Sequence, residues 1–222
     1  MEYRHEVKHE ISYSDLLTLR MRLKAVMQYD PHAVDGKYRI RSLYFDDMFD
    51  SALRANRDGL NVKEKFRIRL YKNTGYLCLE KKSKLGGLGC KTDAELTREQ
   101  AQSIIDGNTD WMGQSRELLI RELHDKMKNR LLVPKTIVDY TREPFVYAPG
   151  NVRVTFDYDI RTGICCTDFL NPDCIMIPAG DAPILLEVKW DEYLPSVIRD
   201  AIQLTGRRSS GFSKYAQCRI YD

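Results

Sequence analysis

The chain has 222 residues, with 35 lysines and arginines against 32 aspartates and glutamates and a formal net charge of +3, which is no global excess of the kind that marks a nucleic-acid binder. Hydrophobic residues make up 43% and charged residues 30%, the balance of a globular protein, expected here as one unit over residues 1–222. No apolar run reaches membrane-spanning length, no signal peptide opens the chain and its six cysteines form no C-x-x-C pair, so a reduced, cytoplasmic protein without membrane insertion is expected.

Residues 3–11 alternate polar and apolar and predict a strand with Arg4, Glu6, Lys8 and Glu10 on one side. Ser14 is the expected cap of a helix in which Leu16, Leu19, Leu23, Val26 and Met27 recur at helical spacing until Pro31 ends it. The four histidines stand singly, without zinc spacing. Residues 37–47 predict a second strand, with Arg39 and Arg41 on one face, and a loop through Asp58-Gly59 follows.

Residues 63–71 alternate most strongly. Lys63, Lys65, Arg67, Arg69 and Tyr71 share one face of a strand, and Phe66, Ile68 and Leu70 share the other. Like charges two apart on a strand sit roughly 6.6 Å from each other, so this face needs water, facing carboxylates or a polyanion. A turn at Asn73-Thr74-Gly75 leads into a strand over 76–84, where Cys78, Glu80, Lys82 and Lys84 point together, and the polar faces of this hairpin must coincide.

Residues 85–92 (LGGLGCKT) do not make a phosphate-binding P-loop, because the lysine comes one place too late and no strand-to-helix transition surrounds it; a mobile glycine loop is expected instead. Thr97 and Gln100 fit a capping box for a helix ending at Gly107, and residues 115–131 form an amphipathic helix stopped before Pro134. A strand over 135–147 carries Tyr140 and Arg142. The strand over 151–161 sets Arg153, Thr155, Asp157, Asp159 and Arg161 against Val152, Val154, Phe156, Tyr158 and Ile160. Residues 183–190 put Glu187 and Lys189 on one face; a helix over 196–204 and a basic glycine-serine flap over 206–215, with Arg207, Arg208, Ser213 and Lys214, complete the chain.

Charged strand faces paired with apolar ones, plus helices each with one oily face, predict an α+β fold: a closed antiparallel β-barrel of about eight strands, charged inside, with helices packed outside. A solvated open sheet is the alternative. The lumen would gather Lys8, Lys63, Lys65, Arg67, Arg69, Lys82, Arg142 and Arg153 with Glu6, Glu80, Asp157 and Glu187, a set that calls for water, metal and a phosphate-rich ligand.

Six motifs occur in order: R-x-E-x-K at Arg4-Glu6-Lys8, S-L-Y-F-D from Ser42, F-R-I-R from Phe66, L-E-K-K from Leu79, L-E-V-K from Leu186 and F-S-K-Y from Phe212. Together they resemble the VTC domain of the vacuolar transporter chaperone polyphosphate polymerases, within the triphosphate tunnel metalloenzyme (CYTH-like) superfamily. The resemblance implies an eight-stranded tunnel binding ATP and Mn²⁺ or Mg²⁺ and lengthening inorganic polyphosphate from the γ-phosphate. It implies Lys8, Arg67, Arg69, Lys82, Arg142 and Arg153 as phosphate ligands of the catalytic set, Glu187 as the metal carboxylate, and Lys214 as a mobile-loop lysine at the tunnel mouth. Lys65, Lys189 and Ser213 join the candidate phosphate binders. The superfamily's E-x-E-x-K opening is R-x-E-x-K here, so a second metal carboxylate rests on Glu6. A metal-dependent triphosphatase, acting on inorganic or nucleoside triphosphate, and a non-catalytic polyphosphate-binding module are the alternatives; nucleic acid is not an expected partner, because cations inside a tunnel cannot reach a duplex.

Overall fold

The computed structural model describes residues 4–86, 88–181, 183–204 and 211–221. In chain order the strands are β1 (His5–Ile11), β2 (Gln28–Tyr29), β3 (Tyr38–Asp46), β4 (Val62–Tyr71), β5 (Tyr76–Leu85), β6 (Leu88–Glu95), β7 (Val133–Tyr147), β8 (Val152–Thr162), β9 (Ile177–Pro178) and β10 (Ile184–Trp190). The helices are α1 (Tyr13–Val26), α2 (Ser51–Arg57), α3 (Arg98–Ile105), α4 (Leu118–Arg130), α5 (Ser196–Ala201) and α6 (Lys214–Cys218). Eight strands form one antiparallel path, β1-β10-β8-β7-β3-β4-β5-β6, with β2 attached to β7 and β9 to β8.

The path curls but does not close into a barrel, contrary to the closed barrel expected from the alternation. Among the described residues its two ends meet at one isolated bridge, Arg4 to Gly89, where each backbone N–H donates to the other carbonyl at 3.2 and 3.4 Å. In the direction of β1, the register of that bridge explains why no ladder grows from it among the described residues. Antiparallel continuation would pair His5 and the rest of β1 with residue 88 and those before it, where the chain is already turning from β5 into β6. Alternation specifies which way side chains face; it carries nothing about the stagger that a closed barrel needs.

Apolar faces pack outward against helices. Phe66 and Ile68 of β4 and Leu77 and Leu79 of β5 meet Ala101 and Ile104 of α3 and Leu119, Ile120 and Leu123 of α4. On the other half, Val152, Val154 and Phe156 of β8 and Leu186 and Val188 of β10 pack on Leu16, Leu19 and Leu23 of α1 and Ile198 of α5. A third cluster lies on the concave side, where Tyr215 and Cys218 of α6 cover Tyr38, Ile40, Tyr44, Tyr140 and Leu185. Ile160 belongs to it as well. Its strand does not alternate to the end: Asp159 adopts φ +52°, beside an irregular register between Asp139 and Thr141, and Ile160 turns to the inner side.

Four further local readings change. Ser12, not Ser14, caps α1, and its side chain and that of Asp15 make a reciprocal capping box. The glycine-rich segment expected to be a loop includes the start of β6, with Gly86 at φ +57° in the turn before it. Ser51–Arg57, expected to be loop, is helical because Asp46 accepts from the free backbone N–H groups of Ala52 and Leu53. Residues 205–210, including Arg207 and Arg208 of the expected flap, lie outside the described residues; Lys214 opens α6. All six cysteines are thiols, and no helix among the described residues is long and apolar enough to cross a membrane.

Helix α6 is anchored by a buried hydrogen bond from the Tyr215 hydroxyl to Asp46 Oδ2 at 2.8 Å, and burial together with Asp46 pushes the phenol well above its ordinary range, keeping it a donor. Tyr215→Phe is expected to lower unfolding free energy by about 1–2 kcal/mol, because Asp46 keeps its backbone donors but loses this one. Urea titration followed by circular dichroism checks it; an unchanged midpoint would show that packing alone seats α6.

Candidate functional site

The concave side encloses a cavity of about 760 Å³. Among the described residues, thirteen lysines and arginines line it against two carboxylates, Glu6 and Glu187. Strand register divides this wall into two electrically different halves. On β4 and β5, Lys63 stands directly across from Lys84 and Lys65 from Lys82, and Lys82 is flanked on β6 by Lys91. Like charges directly opposed across an antiparallel pair repel. On the other half charges alternate: Glu6 faces Lys189, Lys8 faces Glu187, and Arg142 faces Asp157.

Distances follow this division. Arg142 makes a bidentate pair with Asp157 at 2.6 and 2.7 Å and reaches Glu187 at 3.0 Å, while Lys189 holds Glu187 at 2.9 Å. Lys214, paired with Asp157 at 2.5 Å and 4.8 Å above the Tyr140 ring, is fixed at the start of α6 and is no mouth-loop lysine. Arg153 reaches Asp30 at 2.7 Å. Lys82 donates to both oxygens of Glu6 at 2.9 Å, and Lys8 approaches the same carboxylate at 3.4 Å. Arg67 and Arg69 share the buried Glu80 at 2.6 and 3.2 Å and donate to the hydroxyls of Tyr44 and Tyr140. Lys65 has a neutral partner, the Ser213 hydroxyl at 3.0 Å. Thus every candidate site residue lies at or beside one cavity. Sequence reasoning passed over Lys91, hidden in the glycine-rich segment, and the tyrosine hydroxyls that orient the two arginines. Alternation in C-K-T-D-A-E (90–95) was the signal that could have placed Lys91 on a strand.

The VTC domain model matches residues 3–220. The chain belongs to the VTC domain family. No curated relative matches it. Among solved structures, this VTC domain is similar to one from Bacillus halodurans provisionally assigned as an adenylate cyclase, with 14% identity and a TM-score of 0.51 over 85% of this chain and 80% of that one. It is also similar to the PH1819 protein of Pyrococcus horikoshii, at 12% identity, TM-score 0.46 and coverage of 90% and 84%. A Vibrio parahaemolyticus structure with the same provisional assignment gives 8% identity and TM-score 0.45, covering 90% and 82%. The Bacillus likeness concerns the fold alone.

Metal use is consistent with the family, and the donor chemistry of this VTC domain fits it. Among the described residues no three His, Cys, Asp or Glu side chains form a cluster. Glu6 and Glu187, however, both line the cavity, and Lys189 Nζ lies 3.8 Å from one carboxylate and 2.9 Å from the other. One or two carboxylates, with substrate phosphates completing the shell, is how Mg²⁺ is usually held. Burial alone would raise Glu187, but Lys189, Lys8 and Arg142 hold it well below the ordinary carboxylate range.

The opposed lysines show the opposite effect. Burial, then the charges of Lys8, Lys63 and Arg67, bring Lys65 down to about 7, and burial and Lys8 bring Lys82 to about 7 despite Glu6. From pH 7 toward the ordinary lysine value of 10.5, the unfolded chain therefore holds protons that the folded chain has shed, and stability rises with pH. The rise is cleanest below about pH 8.5, where unfolded-state cysteines begin to oppose it. Thermal unfolding of the free protein from pH 7 to about 8.5 should show this rise, and Lys65→Met should melt higher at pH 7 and rise less steeply. Identical slopes in parent and variant would mean that Lys65 stays charged.

Proposed function

We propose that this VTC domain transfers the γ-phosphoryl group of ATP to the end of an inorganic polyphosphate chain held in the cavity, with Mn²⁺ or Mg²⁺ as cofactor. The observation that carries this reading is the pair of opposed lysine contacts, Lys65 with Lys82 and Lys63 with Lys84, continued by Lys91 on the neighbouring strand. Repulsion between fixed cations becomes attraction when a polyanion with closely spaced charges lies between them, and inorganic triphosphate and polyphosphate have that chemistry. Nucleic acid is not proposed, because these charges line the concave face of a curled sheet, where a duplex cannot reach them.

In this reading Lys65, Arg67, Arg69 and Lys82 hold phosphate oxygens on one half of the cavity, with Ser213 orienting Lys65. Lys8, Arg142, Arg153, Lys189 and Lys214 do so on the other. Glu187 and Glu6 would hold the divalent cation, which when bound neutralises charge on the phosphoryl oxygens. Catalysis is positioning and charge compensation, so no side-chain nucleophile is needed: the acceptor is a terminal phosphate oxygen aligned by the cations. The unclosed sheet favours a second reading, in which water enters the cavity and accepts the phosphoryl group, making the protein a triphosphatase.

Incubation of the purified protein with ATP and Mn²⁺, followed by gel separation of the phosphate products, distinguishes these outcomes. Chains longer than triphosphate are expected. Orthophosphate alone would establish the hydrolase, and no turnover with retained tripolyphosphate binding would leave a binding module.

Glu187→Gln is expected to keep tripolyphosphate affinity, since all the cations remain, while metal-dependent turnover falls by about a hundredfold or more. Turnover near the parent's level with Mn²⁺ present would remove Glu187 from the metal site.

A further inference from the structure

Two buried polar atoms of cavity-lining residues on β8 have no hydrogen-bond partner within the protein. Thr155 is 3% exposed and lines the cavity, yet its Oγ1 has no hydrogen-bond partner. Two residues earlier on the same face, Arg153 uses one terminal nitrogen on Asp30 and leaves its buried Nε without a partner. Register puts Thr155 directly across from Glu187 and Arg153 across from Lys189. Buried polar groups are normally satisfied, so two orphans side by side in a cavity wall mark a place where something else completes them.

The chemistry of the orphans selects the occupant. A guanidinium Nε–H only donates and cannot ligate a cation, whereas a hydroxyl can donate as readily as it accepts. What satisfies both is an acceptor, and the neighbouring Lys189 and Lys8 favour one that is negatively charged. We propose that the Thr155 hydroxyl, together with Arg153 Nε, binds one phosphate group of the polyphosphate chain, forming a subsite on β8 beside Glu187 and separate from the lysine row of β4, β5 and β6. This inference rests on the phosphate-binding reading of the cavity and adds a residue that carries no charge. A bound polyanion then spans the cavity, with cation repulsion drawing it to one wall and unsatisfied donors fixing it at the other. Lysine contacts alone tolerate sliding of the chain; a hydroxyl and a planar guanidinium set its register.

Thr155→Val tests the proposal, because it keeps the branched shape and removes only the hydroxyl's hydrogen-bonding capacity. Thermal unfolding of the free variant and calorimetric titration with tripolyphosphate are measured beside the parent and Thr155→Ser. The free valine variant should melt at or above the parent, having lost a buried orphan, while its affinity falls about tenfold, equivalent to about 1.4 kcal/mol. The serine variant should bind within about twofold of the parent. Parent-like affinity in the valine variant would overturn the proposal, as would a lower melting temperature of the free variant, which would reveal a structural partner for the hydroxyl. If the parent itself fails to bind tripolyphosphate, the cavity reading falls and the subsite with it.

Discussion

The register of the β4–β5 hairpin forces lysines to face one another, and much of the structure depends on it. That register is set from the opposite side of the sheet: Phe66, Ile68, Leu77 and Leu79 are buried against α3 and α4, and a slip of one residue would drive the cations into that core. Burying a leucine or isoleucine contributes about 1.5–3 kcal/mol, whereas an opposed like-charge pair is destabilising by about 0.2–1 kcal/mol. The oily contacts therefore win, and the sheet carries its repulsion as a standing demand for an anion.

Folding and binding are coupled differently at different cations of the cavity. Arg67 and Arg69 share Glu80, and Arg142 ties Asp157 to Glu187, so removing one of these arginines leaves a buried carboxylate under-compensated and disturbs the fold as well as the site. Lys65, whose partner is a hydroxyl, has no such structural duty. A loss of binding on replacing an arginine is therefore ambiguous, whereas the same loss on replacing Lys65 is not.

Much of this was legible in the sequence where a period-2 pattern meets a buried face. The cavity faces of β4, β5 and β10 follow directly from which residues alternate with Phe66, Leu79 and Leu186, and Glu6, Lys8, Lys82 and Glu187 do meet. What alternation cannot express is stagger between strands far apart in the chain, so the bridge at Arg4 and Gly89, and with it the unclosed sheet, was out of reach. Glycine hid β6, because its low strand propensity outweighs two or three favourable neighbours. The inward turn of Ile160 rests on a single residue at φ +52°, and Asp159 does not announce it in a strand that otherwise alternates without fault.

The bridge between Arg4 and Gly89, the one join between the sheet edges among the described residues, bears on how a polyphosphate chain of the kind proposed would be kept. A continuous barrel encircles a polymer as a ring encircles a thread, and the thread leaves only by an end. Two sheet edges joined, among the described residues, by one pair of backbone hydrogen bonds impose no such topological capture, since opening that pair frees a sideways route. Retention of a polyanion then rests on charge, which salt screens over about 8 Å at physiological ionic strength, rather than on enclosure. A chain held this way is gripped by a cationic trough, and how long it stays is set by the ions around it.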